Sequence, residues 1–468
     1  MVRENKLYDE LSVGDTASIK RVCTANDLYV FAHASGNINP LHLPDREGGQ
    51  VETIAPSMWV GALVSAVLGN ILPGPGTLYR SQCFEFLNRA HVGDELQVTV
   101  TVKEKKPEQV VVLDTVITGR GGDVVARGPA EVVAPPHKIT LEDASVPDLL
   151  VNRHQHFDRL LAACHDLPPL VTAVAAPETA SALAGAMLAA EHGLIEPILI
   201  GDEAVIAECA REAQLDISGV EIIDAHDHHE AAARAVELAH SGRAQALMKG
   251  HLHTGDLLSH VVKRDGGLRG GRRLSHVFAM DVPGLDHPLL ISDAAINIVP
   301  DLETKVDITQ NAIDVAVALG IEKPRVGILS AVETVNPQIP STLDAAVISK
   351  MAERGQITGG IVDGPLAMDN AIDTEAARTK GIASLVAGHA EILIAPNLEA
   401  GNMLAKELSF IAHADAAGLA VGAKVPIILT SRADGEKARL VSCAIAVLYR
   451  KWQDDRRAGV VRMSVAAE

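Results

Sequence analysis

Val425-Pro426-Ile427-Ile428-Leu429-Thr430-Ser431-Arg432-Ala433-Asp434 is an apolar run that stops at two hydroxyls, a guanidinium and a carboxylate. Ile427, Ile428 and Leu429 have the pattern of a buried parallel strand, and residues 437–449 follow with helical periodicity. In an open α/β sheet ligands bind outside the carboxyl ends of the strands, where a helix N-terminus offers free backbone N–H groups to an anion. Thr430, Ser431, Arg432 and Asp434 therefore stand where an anionic substrate would sit. The alternative reading leaves Thr430 and Ser431 capping the helix and Arg432 at the surface.

Working outward, the same strand-then-helix grammar runs from about residue 149. Strands are expected at 170–175, 197–200, 220–223 and 246–248, and helices at 181–192, 204–213 and 230–241. Such alternation requires a mostly parallel sheet with helices on both faces. Pro300 opens a further helix bearing Leu302, Val306, Ile313 and Val317 and stopped by Gly320; Ser341 with Asp344 reads as a capping box for another, stopped by Gly355. Polar clusters follow the strands: Lys249, His251, His253 and Thr254; Asn297; Glu333; Asp363; and Asn397, Glu399 and Asn402. Turns need Gly, Asp and Asn in any case, but five clusters at strand ends are expected to converge on one crevice.

Residues 1–136 carry a different pattern. Residues 24–35 have helical spacing and lead into Ser35-Gly36-Asn37-Ile38-Asn39-Pro40-Leu41-His42. Residues 57–72 form a helix apolar nearly all round (Met58, Trp59, Leu63, Val67, Leu68), which must be wrapped on most sides. Strands at 77–87, 95–104, 109–118 and 124–133, rich in Val, Thr and Ile, are the candidate wrapping. Residues 137–148 read as a linker, and 149–468 as the second domain.

Composition bounds the function. A chain of 468 residues exceeds one core, and a net charge of −19 argues against nucleic acid or an anionic membrane as partner. No apolar run is long enough to span a bilayer, and the N-terminus has no signal-peptide core, so a cytoplasmic protein is expected. Five scattered cysteines without a C-x-x-C pair read as reduced packing residues. Asp224-Ala225-His226-Asp227-His228-His229-Glu230 lacks the spacing of a metal site, and no metal is expected. A nicotinamide dehydrogenase is disfavoured because Gly74-Pro75-Gly76-Thr77-Leu78-Tyr79 lacks the third glycine and precedes a strand.

Two resemblances sharpen this reading. Gly36 to His42 resembles the G-D-x-N-P-hydrophobic-H signature of the MaoC-like (R)-specific enoyl-CoA hydratases, which implies a hot-dog fold, a sheet curled around one helix. By that resemblance Asn37 and His42 are the catalytic positions. Asn37 stands where the family has Asp, and an amide cannot take the water's proton, so half of the acid–base pair is absent; such a loss typically costs ~10²–10⁴ in rate. Pro56 and Ser57 also replace the family's His-Gly before the helix.

The larger half resembles the phosphate acetyl/butyryl transferases over about residues 150–452. The matching motifs are Lys249-Gly250-His251-Leu252-His253-Thr254, Arg273-Leu274-Ser275-His276-Val277-Phe278, Ser330-Ala331-Val332-Glu333-Thr334, Asp363-Gly364-Pro365-Leu366, Asn397-Leu398-Glu399-Ala400-Gly401-Asn402 and Thr430-Ser431-Arg432. The resemblance implies two α/β lobes with parallel sheets, in a phosphotransacetylase or isocitrate/isopropylmalate dehydrogenase-like fold, with lobe boundaries near 288 and 421. It further implies acyl-CoA and inorganic phosphate as substrates, no permanently bound cofactor, and a homodimer or higher oligomer. Ser431 and Arg432 become the catalytic pair. The family's base seven residues past the serine is Ala438 here, and its phosphate-binding arginine is Ser259. A bifunctional hydratase/acyltransferase and an acyl-CoA-binding scaffold are the alternatives.

Overall fold

Leu96, Val98, Val100 and Val102 are buried while Gln97, Thr99, Thr101 and Lys103 between them are not. This period of two gives a strand with one apolar face, and the first unit is built on such strands. The structure, a computed structural model, describes residues 3–44, 53–141, 149, 151, 154, 156–429 and 435–459. It divides into two units, Met1–Val151 and Asn152–Glu468.

In the first unit β1 (Arg3–Glu4), β2 (Thr16–Val22) and α1 (Ala25–Ser35) precede α2 (Ser57–Asn70). Then come β3 (Leu78–Gln82), β4 (Glu85–Phe86), β5 (Glu95–Lys106), β6 (Val110–Thr118), β7 (Val124–Val133) and β8 (Thr140–Leu141). The antiparallel sheet has the order β2-β5-β6-β7-β3, with β4 also on β7. Its inner face packs with Trp59, Val60, Val64, Val67 and Leu68 of α2, the hot-dog arrangement expected. The wrapping is less complete than the composition suggests: Met58 is 60 % exposed, and Ala62 and Ser65 share that open stripe. The single strand expected at 77–87 is broken at Cys83, whose carbonyl would lie 2.2 Å from any Cβ placed on Gly128 of β7. Residues 137–141 belong to this unit and not to a linker. Buried Asn5 donates to Pro75 and His137 carbonyls at 3.0 and 2.9 Å and accepts from Ile139 N–H, and β8 pairs with β1. Residues 142–148 lie outside the described residues.

The second unit alternates helix and strand: α3 (His156–Ala163), β9 (Leu170–Ala175), α4 (Ala180–Glu191), β10 (Ile195–Gly201), α5 (Glu203–Glu212), β11 (Glu221–Asp224) and α6 (His228–His240). It continues with β12 (Ala246–Lys249), α7 (Thr254–Val261), β13 (Ser275–Asp281), β14 (Leu289–Ser292), α8 (Leu302–Ala318), β15 (Arg325–Leu329) and α9 (Pro340–Glu353). The rest is β16 (Ile361–Leu366), α10 (Met368–Ile372), α11 (Thr374–Thr379), β17 (Ile392–Ile394), α12 (Leu398–Phe410), β18 (Asp415–Val421), β19 (Ile427–Ile428) and α13 (Glu436–Arg457). Both faces of the sheet are covered. Val174 of β9 packs with Leu183 and Leu440 on one side, and its neighbours Ala173 and Ala175 pack with Ala231 and Leu257 on the other. Each fully buried Leu or Ile here contributes roughly 1.5–3 kcal/mol.

One sheet of 11 strands runs in the order β11-β10-β9-β12-β19-β18-β13-β14-β17-β15-β16. The lobe boundaries expected near 288 and 421 thus fall between hydrogen-bonded neighbours, β13 with β14 and β18 with β19. Three ladders are antiparallel: β19 with β18, β18 with β13, and β13 with β14. Three reversals leave β14, β17, β15 and β16 running opposite to β9, β10, β12 and β19. The carboxyl ends of the two strand sets therefore open at opposite edges, which corrects the expectation of a single crevice at all five strand ends. A second correction concerns α9. Its N-cap is Ile339 without a side-chain bond; Ser341 instead meets Ser330 Oγ at 2.8 Å, and Asp344 pairs with Lys305 at 2.7 Å.

Candidate functional site

At the carboxyl edge of β9, β12 and β19, the chain leaves β12 through Lys249 and Gly250. The turn hugs β9: Gly250 N–H donates to Ala175 O and His251 N–H to Ala176 O, and a Cβ on Gly250 would lie 2.2 Å from the Ala176 oxygen. Only glycine fits so close an approach. Lys249 is buried, with Nζ 3.1 Å from the Gly250 carbonyl. His253 is the exposed N-cap residue of α7, and Thr254 is its first helical residue. His251 lies edge-on to His228 at 5.9 Å, and His228 Nε2 lies 2.8 Å from Glu178 Oε2. A cavity of about 550 Å³ opens here, lined by Glu178, Asp202, His226, His228, His229 and Asp256. Backbone N–H donation from Glu230 holds the Asp227 carboxyl below its usual range, and burial followed by the Lys263 charge pushes His260 down. No group of three or more metal-ligating side chains occurs among the described residues. Thr430, Ser431, Arg432 and Asp434 lie outside the described residues; the chain enters that stretch from Leu429, beside β12, and leaves it at Gly435, the N-cap of α13.

At the opposite edge a cleft of about 570 Å³ has apolar walls from Leu258, Val262 and Ile296 and a polar side from Arg269, Arg273 and Asn297. Helix α7 starts at the first edge and runs back to this one, so Ser259 lines the cleft as well. Arg272 and Gly422 complete part of the rim. The arginines are held: Arg272 bonds the buried Asp314, and Arg273 bonds Thr304 and, at 3.2 Å, Asp301. Asn297 is fixed by a carboxylate. Asp293, 2 % exposed, accepts from the backbone N–H groups of His276, Ala295, Ile296 and Asn297 and from Asn297 Nδ2. A carboxylate that accepts this many N–H groups makes a rigid turn. Beside it, burial pushes the His276 imidazole down to about 4, opposed only by the Asp293 charge, so the ring is neutral.

The remaining expected residues separate. Asn402 Nδ2 donates to Ala294 O at 3.0 Å, bracing the Asp293 turn, and Asn397 caps α12 through Ala400 N–H. Glu399 is exposed on that helix. Glu333 faces Lys380 and Asn370, both at 3.3 Å, and Asp363 accepts from its neighbour Gly364 N–H. Of the residues expected from sequence, Asn297 lines the arginine cleft, and Lys249, His251, His253 and Thr254 gather at the other edge. Arg269 and Arg272 were missed. The signal was Arg269-Gly270-Gly271-Arg272-Arg273, a basic run with two glycines in an acidic chain.

In the first unit, Asn37 and His42 flank the turn after α1. Asn37 Oδ1 accepts from Asn39 N–H at 3.2 Å, and His42 Nδ1 lies 2.7 Å from the Ile54 carbonyl. That bond makes Nδ1 the protonated nitrogen and leaves Nε2 as an acceptor. Pro56 is the N-cap of α2 and makes no side-chain cap.

Residues 228–447 match the sequence family described as Phosphate acetyl/butaryl transferase. A phosphate acetyltransferase of Rhizobium meliloti is 61 % identical over 293 residues, covering 63 % of this chain and 93 % of the relative. A branched-chain phosphotransacylase from Enterococcus faecalis V583 shares 31 % identity, over 60 % of this chain and 99 % of that one, with a TM-score of 0.53. An R-hydratase from Pseudomonas aeruginosa is 36 % identical over 32 % of this chain and 100 % of its own, with a TM-score of 0.31. With an identity this high along nearly the whole acetyltransferase, the chain belongs to the phosphate acetyl/butyryl transferase family.

Proposed function

We propose that the second unit transfers an acyl group from a CoA thioester to inorganic phosphate. The observation that carries this is the 61 % identity to a phosphate acetyltransferase. The apolar walls and arginine side of the cleft suit a substrate with an apolar arm and phosphates. In the reaction a phosphate oxygen attacks the thioester carbonyl carbon. The tetrahedral oxyanion then collapses, the C–S bond breaks, and acyl phosphate and CoA thiolate leave. No protein nucleophile is consumed, so the residues align two anions and stabilise the oxyanion. In this reading Arg432 grips phosphate by its planar fork and Ser431 donates to the reacting oxygen. Thr430, Lys249 and His251 supply further donors; Asp434 or Glu436 takes the place of the base absent at Ala438. The test is whether CoA release from acetyl-CoA or butyryl-CoA requires phosphate.

The protein acts as a homodimer or higher homo-oligomer in this account: Met403, Phe410 and Ile411 on and after α12 are 65 %, 74 % and 73 % exposed, and a partner surface would cover them. Four buried free thiols, Cys23, Cys164, Cys209 and Cys443, suit a reducing cytoplasm. For the first unit the geometry favours CoA-thioester binding over hydration, since the Asn37 oxygen accepts from Asn39 N–H and, among the described residues of this turn, the His42 imidazole is the one base.

A further inference from the structure

Beside the substrate cleft, on the C-terminal turns of α13, a second cavity of about 360 Å³ is lined by Arg272, Tyr449, Trp452, Gln453, Arg456 and Arg457. Among the described residues its charged lining is arginine alone, in a chain of net charge −19. One carboxylate stands behind the wall: Asp314, fully buried, bonds Arg272 Nη2 and lies 3.6 Å from Arg456 Nη1. Among the described residues Arg457 reaches only Asp454, at 3.7 Å, and Arg450 shares that carboxylate. Three guanidinium groups thus share one fully buried carboxylate and one exposed one, which leaves positive charge in the cavity. Two donors of the wall are also unsatisfied. Arg272 Nη1 and Trp452 Nε1–H are buried without a hydrogen-bond partner, and Trp452 is only 7 % exposed. An unpaired buried donor costs about 1–3 kcal/mol, and the buried Gln453 Oε1 of the same wall, itself unpaired, answers at most one of the two. The indole is also fixed: it stacks on Tyr449 at 5.7 Å and carries Arg456 over its face at 5.3 Å.

We propose that this cavity binds a small multivalent oxyanion of the phosphoryl class, held by Arg456 and Arg457 with Arg272 and the Trp452 N–H beneath. The paired stacking of Tyr449 and Trp452 leaves no slot for a base between the rings, so the recognised group is the anion. Arg272 lines both this cavity and the substrate cleft, and an anion here competes with Asp314 for it. The cavity is therefore an effector site distinct from the reacting groups.

The chain holds two tryptophans, so emission reports the site directly. Full-length protein is titrated with inorganic pyrophosphate, with sodium chloride at matched ionic strength as control. The expected result is a saturable change that disappears in Trp452→Phe and whose midpoint rises about tenfold or more in Arg456→Gln/Arg457→Gln. That double variant keeps its basal transferase rate. Three outcomes overturn the proposal: no saturable change, a change that sodium chloride reproduces, or one unaffected by the arginine substitutions. A change abolished by saturating CoA also overturns it, because the cavity would then be the distal end of the substrate cleft.

Discussion

Asn297 Nδ2 donates to Asp293 Oδ2 at 2.5 Å while Asn297 N–H donates to the same oxygen at 3.0 Å, so one buried carboxylate fixes both the backbone and the side chain of a cleft residue. Asp293→Ala strands several N–H groups in a dry turn and is expected to cost at least about 3 kcal/mol in denaturant unfolding. Asn297→Ala removes fewer bonds and should cost about 1–2 kcal/mol. It should also lower kcat/KM for transfer roughly tenfold, about 1.4 kcal/mol, through the cleft that Asn297 lines. Equal stability loss in the two variants would show that the turn is not organised by the carboxylate.

Lys305 on α8 is 5 % exposed and pairs with Asp344 on α9. Asp344→Ala leaves an ammonium buried without its partner and should cost about 3 kcal/mol, whereas Lys305→Met with Asp344→Leu should be near neutral. Chemical denaturation of the three proteins checks this, and a double variant worse than the single would refute it.

The His276 ring is buried, packs edge-on against Phe278 at 4.4 Å, and has no partner at Nδ1. Its folded pKa of about 4 lies below the ordinary histidine value near 6.5, so the unfolded chain binds the proton more readily. Stability from the neutral ring is present in full above about pH 6.5 and is lost as pH falls from there toward 4. His276→Phe should flatten the stability profile in that window. An unchanged difference between pH 5 and 7 would mean that the ring is solvated.

Much of this fold is legible in sequence because burial on two faces forces Val, Ile and Leu into short runs such as Leu170–Ala175, while amphipathic helices between them betray the crossovers. Periodicity carries no direction, however. The antiparallel courses of β18, β13 and β14 are encoded in pairings such as Val277 with Leu419, and the three reversals together separate the Lys249 edge from the Asn297 edge. Ser341 misleads for a related reason: a hydroxyl three residues before Asp344 fits a capping box, yet each side chain has a stronger tertiary partner. Arg269 and Arg272 escaped because glycines beside arginines read as a surface turn; only the cleft around them gives the charges a use.

In the first unit Asn37→Asp restores a carboxylate beside His42 and should raise hydration of crotonyl-CoA at least tenfold over wild type, where His42 works alone. Loss of enoyl-thioester absorbance reads the rate. High wild-type activity unaffected by Asn37→Asp would contradict the binding role assigned to this unit.

The most direct test of the transferase assignment is CoA release from acetyl-CoA and butyryl-CoA as a function of phosphate concentration, with the acyl phosphate trapped as hydroxamate. Release should saturate with phosphate in the wild type. Arg432→Lys, which keeps the charge but loses the bidentate fork, should raise the KM for phosphate about tenfold or more with the fold intact. CoA release that does not depend on phosphate, or phosphate dependence identical in Arg432→Lys, would contradict it.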